Sequence, residues 1–105
     1  MFNDGVAAAF LKVPRQTVGG SLVFDFEPYR RFFYAELGFT VDEYYLVNQA
    51  EEVKVLRKIR IRQDKRLSSR HVIEIGGERY NVGRTFSALS HGVPITDVTL
   101  ERFEG

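Results

Sequence analysis

The residues able to do chemistry are few. The two histidines, His71 and His91, belong to no H-x-H or H-E-x-x-H spacing, so a metal centre would have to recruit distant carboxylates that follow no ligand pattern. Ser87, Ser90 and His91 lie close together, but no G-x-S-x-G elbow or orienting acid accompanies them, which argues against nucleophilic catalysis. Without cysteine there is no thiolate ligand, cysteine nucleophile or disulfide framework. Gly19-Gly20 and Gly76-Gly77 lack the strand, lysine and helix of a phosphate loop and read as turn glycines. No acid, base and nucleophile set is in view, so the sequence predicts neither an enzyme nor a cofactor. What is left is a basic row, Lys54, Lys58, Arg60 and Arg62, continued by Lys65 and Arg66. It could face phosphates, each contact adding salt-dependent affinity, or be a solvated strand face balanced by Glu51, Glu52 and Asp64.

These side chains need a scaffold, and composition bounds it. A chain of 105 residues holds one core, so a single domain over 1–105 is expected. Nine phenylalanines and five tyrosines with no tryptophan favour sheet. Fifteen Lys and Arg against fourteen Asp and Glu leave a net charge of +1, too little for a protein that wraps nucleic acid over its whole surface. No apolar run reaches the roughly 18 residues that span a bilayer, and Val6 to Leu11 is too short and wrongly flanked for a signal peptide. The expectation is a chain made in the cytoplasm with no membrane partner.

The elements follow from periodicity. His71 to Val82 alternates on both sides of Gly76-Gly77, the pattern of a β-hairpin closed by a two-residue primed turn. Val6 to Val13 reads as a first strand ended by Pro14, although its three alanines would also suit a helix. Arg15 to Ser21 is a glycine-containing loop. Leu22 to Phe26, broken by Pro28, is a short strand or an extended arm, and Arg30 to Phe39 a further aromatic strand with both faces partly covered. Thr40 and Glu43 form a capping box that opens a helix to about Glu52, its Tyr44 and Tyr45 on or near the apolar stripe. Val53 to Arg62 alternates again, with the basic row outward. Arg57 falls on the apolar side, which predicts a bulge near Leu56-Arg57 or an arginine reaching a carboxylate. The second hairpin strand runs through Phe86, Ser87 to Pro94 is a loop, and Thr96 to Phe103 is the last strand. The fold class expected is mainly β, a small antiparallel β-barrel or sandwich of about six strands with one short α-helix.

The order of these elements resembles the head-tail joining proteins of tailed bacteriophages, also called head-closure, stopper or connector proteins. The resemblance runs from about Val6 to Phe103. It rests on Thr40, Glu43 and Tyr44 at the helix start, Ile59-Arg60 and Ile61-Arg62 in the strand that follows, and Ile73, Ile75, Gly77, Tyr80 and Val82 in the hairpin. Family members often carry a tryptophan before the aromatic strand, where this chain has Phe24, Phe26 and Tyr29. The resemblance implies a structural, non-enzymatic virion protein. Identical subunits form a ring at the neck, docked beneath the portal or its adaptor, that closes the DNA-filled head and presents a platform to the tail-terminator protein. Packaged DNA in the channel is a further contact. Within such a ring the loop residues Arg15, Gln16, Thr17, Val18, Gly19 and Gly20 are expected to reorder or to reach a neighbour or the channel. Tyr44 and Tyr45, about 100° apart on a helix, are expected to divide between core and interface. The competing class is a small barrel that binds single-stranded nucleic acid with the basic row and exposed aromatics.

Overall fold

The computed structural model describes residues 2–38 and 55–103. Six strands fill these residues: β1 (Gly5–Gln16), β2 (Leu22–Leu37), β3 (Val55–Arg62), β4 (His71–Ile75), β5 (Glu78–Ser90) and β6 (Val93–Arg102). All pairings are antiparallel, and the ladder runs β1-β2-β3-β6-β5-β4 and returns to β1. Closing the sheet in this way supplies both edges of its strands with partners over the paired length. The helix expected from Thr40 to about Glu52, with Tyr44 and Tyr45, lies outside the described residues, as do Val53 and Lys54.

Alternation selects the core. Ala7 and Ala9 from β1, Phe32 and Tyr34 from β2, Ile59 and Ile61 from β3, Ile73 and Ile75 from β4, Tyr80 and Val82 from β5, and Val98 and Leu100 from β6 point inward and are buried. The alanines that made β1 ambiguous have a packing reason. Ala7 is paired with Phe32 and Ala9 with Ile73, so small residues sit beside large ones on the inward face. Gly5 is tighter still, because a Cβ there would lie 2.9 Å from the Tyr34 ring.

Three sequence expectations need correction. Pro28 does not break β2: a bulge falls there, with Ala9 opposite Arg30 and Phe10 opposite Pro28, leaving Tyr29 as the extra residue. A strand tolerates proline at a bulge, because the ladder is already interrupted there. Pro14 likewise does not end β1; it pairs with Phe24 where β1 has passed beyond β4, whose last partner is Leu11. Finally, Ser87 to Pro94 is not a loop. β5 continues to Ser90, which pairs with Val93 across a two-residue turn at His91-Gly92.

Both two-residue turns have the same handedness of backbone. Gly76 and Gly77 have φ of 60° and 84°, and His91 and Gly92 have φ of 51° and 78°; positive φ at both central positions is what a type I′ turn requires. Arg57 satisfies both of its alternatives at once. Val55 pairs with Glu101 and Arg57 with Leu100, so Leu56 is bulged out, and the Arg57 guanidinium grips Glu36 through Nε to Oε1 at 2.9 Å and Nη2 to Oε2 at 2.8 Å. On the aromatic strand Phe32 and Tyr34 are buried on one face, while on the other Phe33 is 69% exposed and Ala35 and Leu37 are half-buried.

Candidate functional site

The surface is built from two features, a long β1–β2 hairpin and a basic loop between β3 and β4. Beyond Lys12 and Phe26, β1 and β2 pair only with each other. Their tip is a closed turn in which the Gly20 amide donates to the Thr17 carbonyl and the Thr17 amide to the Ser21 carbonyl, both at 2.9 Å. The Thr17 hydroxyl accepts from the Ser21 amide at 3.1 Å, and Gly20 takes φ of 83°, the geometry of a three-residue loop with a glycine bulge. This turn holds the predicted interface residues. Arg15 pairs with Asp25 at 3.2 Å in an exposed bridge, Gln16 is exposed opposite Leu22, and Val18 is fully exposed between Thr17 and the two glycines. Leu22 and Phe24 extend the exposed apolar surface down the hairpin.

The base of the hairpin is fastened to the barrel by cation-aromatic contacts. The Arg79 guanidinium lies 4.8 Å from the Phe26 ring centroid and 5.9 Å from that of Phe10, and Phe26 meets Phe103 edge-on at 5.8 Å. Such contacts contribute about 0.5–1 kcal/mol each at exposed sites.

The loop from Gln63 to Arg70 is pinned by polar bonds as well as by Leu67, which is buried in the core. Its anchor is Asp64, whose side chain is 3% exposed. The Tyr29 hydroxyl donates to its two oxygens at 3.0 and 3.2 Å, Arg30 Nη1 to Oδ2 at 3.2 Å, and the Arg66 amide to Oδ1 at 2.9 Å. The Asp64 amide in turn donates to the Thr96 hydroxyl at 3.0 Å, which shares a 2.8 Å hydrogen bond with Ser87. Burial, then the Asp64 carboxylate, holds the Tyr29 hydroxyl above the usual tyrosine range, so it stays a donor. At the far end the Ser68 amide donates to His71 Nδ1 at 3.1 Å and the His71 amide to the Ser68 carbonyl at 3.0 Å. Burial lowers the His71 pKa below the ordinary histidine value, and a ring nitrogen that accepts must be unprotonated. Tyr29 packs on this ring with centroids 4.5 Å apart. The charge thus anchored is one-sided: Arg62, Lys65, Arg66 and Arg70 are all exposed, and Asp64 is the only carboxylate between them.

The predicted basic row is divided. Lys58 stands in register with Leu37 and Thr99. Arg60 is committed to Asp97 on β6, Nε to Oδ1 at 2.7 Å and Nη2 to Oδ2 at 3.1 Å, with Nη1 on the Ser90 hydroxyl at 3.2 Å; that bidentate bond raises its pKa further. Arg62 is exposed at the end of β3. The basic surface therefore continues into the loop, through Lys65 and Arg66 as the sequence suggested, and takes in Arg30 and Arg70, which it did not. No local signal marks Arg30, which joins the group through a carboxylate 34 residues away, whereas Arg70 closes the same loop as Lys65 and Arg66. Among the described residues, no three histidine or acidic side chains gather in a group that could hold a metal ion.

Exposed apolar side chains occupy opposite sides of the barrel. Phe33 on β2 and Phe86 on β5 are 69% and 66% exposed, on strands three positions apart in a ring of six. Beside Phe33 lies a shallow depression lined by Phe2, Asn3, Gly5 and Val6; Leu89, three residues beyond Phe86, is exposed on the other face of β5. Comparison of the sequence with known protein families and with curated proteins finds no match.

Proposed function

We propose that this chain is a structural subunit of a tailed-bacteriophage neck, which assembles into a ring at the head-tail junction, closes the DNA-filled head and offers the tail a platform. The reading rests on the resemblance of its element order to head-tail joining proteins. The observation that supports it best is the pair of unlike exposed apolar positions on strands opposite in the ladder, Phe33 with Val6 and Phe2 on one side and Phe86 on the other. A ring of identical subunits needs a heterologous contact, in which one patch of each subunit meets a different patch of the next. The Val18, Leu22 and Phe24 hairpin is a third surface, suited to the rings above or below. A nearly neutral chain stacks in this way without strong self-repulsion.

The test is removal of the gene from the source phage, followed by electron microscopy of the lysate. Heads that lose their DNA or fail to join, beside separate complete tails, are the expected result; normal joined virions would refute the reading. A single-strand-binding barrel would need exposed rings interleaved with basic side chains in one groove. Here Phe33 and Phe86 lie on different sides of the barrel, and the loop from Gln63 to Arg70 contains no aromatic residue.

A further inference from the structure

We propose that the loop from Gln63 to Arg70, together with Arg62 at the end of β3 and Arg30, is a binding surface for the phosphate backbone of duplex DNA. Four exposed cationic side chains, Arg62, Lys65, Arg66 and Arg70, follow one another along residues 62–70 with a single carboxylate among them, and a fifth, Arg30, reaches that carboxylate from β2. That carboxylate, Asp64, is already occupied by the Tyr29 hydroxyl, Arg30 and the Arg66 amide. It anchors the loop without neutralising its exposed face. The loop is also held at Gln63, whose amide donates to the Pro94 carbonyl at 3.2 Å, and at Arg70, whose carbonyl accepts from the Lys12 amide at 2.9 Å. Cations on a backbone already ordered lose little entropy when they engage a ligand.

The chemistry of the face selects the ligand. Four of the five cations are arginines, whose planar fork matches phosphate oxygens in pairs. Leu67, the one large apolar residue in the loop, turns into the core at 2% exposure, so the face lacks the apolar centre that an acidic protein partner would dock against. Nor does the loop offer a ring on which to stack a base: Tyr29 is packed on His71, with its hydroxyl spent on Asp64. Phosphate contact without base contact is the mode suited to a duplex of any sequence. In the neck reading above, that duplex is the packaged DNA; the surface itself is argued from the loop alone.

Fluorescence anisotropy of a labelled random duplex of about 25 base pairs, titrated with the purified chain from about 50 to 200 mM salt, tests this directly. Four phosphate contacts give a slope of log affinity on log salt of about −3.6. The double variant K65Q/R66Q should lower affinity at least about tenfold and reduce the slope by roughly two. R84Q/R102Q removes the same charge from exposed positions on β5 and β6 and should change affinity less than about twofold. Circular dichroism checks that both variants keep the fold. Absence of salt-dependent binding, equal losses in the two variants, or competition by polyglutamate as effective as by duplex would each overturn the proposal. A single strand that binds more tightly than the duplex would do so as well. The result is independent of the neck assignment: lost DNA binding with intact head-tail joining removes this surface alone, and DNA binding by a chain absent from the virion removes only the neck.

Discussion

Arg57 on β3 ties together side chains of β2 and β5. Its guanidinium is bidentate on Glu36, reaches the Tyr80 hydroxyl at 3.5 Å, and lies 5.8 and 5.6 Å from the Tyr34 and Tyr80 ring centroids. The hydrogen bonds to Glu36 raise its pKa, so it remains charged at any working pH. The pair is partly exposed, which reduces its energy through solvent screening. Arg57→Ala should cost about 1–2 kcal/mol, and Arg57→Lys about 1 because one ammonium cannot replace a two-point contact; shifts in urea midpoint at constant slope would measure both. His71 gives a pH signature. Its folded pKa is depressed by burial, so at low pH the unfolded chain binds the proton more readily. Its contribution is therefore complete above the unfolded value of about 6.5 and lost as pH falls toward the folded value. The urea midpoint should drop between pH 7 and 5, and His71→Asn, whose side-chain oxygen can still accept from Ser68, should flatten that drop. A wild-type midpoint constant over this range would contradict the assignment.

Among the elements, the turns and bulges decide the register. Gly76-Gly77 was legible because alternating apolar residues flank two glycines, a pairing that only positive φ explains. His91-Gly92 adopts the same turn but was hidden by its first residue, since histidine is a less usual occupant of positive φ than asparagine or glycine. His91→Asn should stabilise by a few tenths of a kcal/mol, while Gly77→Ala, at φ of 84°, should cost about 1–2 kcal/mol; thermal unfolding of the two variants should move in opposite directions. The bulge at Leu56 could be read because Arg57 broke an otherwise regular alternation. The bulge at Tyr29 could not, because a proline beside it looked like a strand end. That second bulge matters more for the site, since it sends the Tyr29 hydroxyl to Asp64, 35 residues away. Tyr29→Phe should cost about 1–2 kcal/mol by leaving a buried carboxylate short of a donor. It should also speed amide exchange from Arg66 to Arg70, whereas uniform exchange across the barrel would show that the loop is not a separate unit.

For the whole molecule, the barrel supplies rigidity, and on the proposed reading its outer surface carries the contacts. Phe33→Glu and Phe86→Glu alter side chains that face solvent in the subunit, so each should leave the unfolding midpoint nearly unchanged while abolishing head-tail joining in complementation. Folding losses of several kcal/mol in either would show instead that these rings belong to the core. The strand count and the hairpin were evident from alternation. The opposed patches were not, because which strands face each other depends on ladder closure, and closure joins β1 to β4 across some 60 residues. The central claim is position in the virion, and immunogold electron microscopy of intact source phage with antibody against this chain reads it most directly. The account predicts label at the junction of head and tail on most particles and none on free tails. Label along the tail or on the capsid faces, or virions free of label, would contradict it.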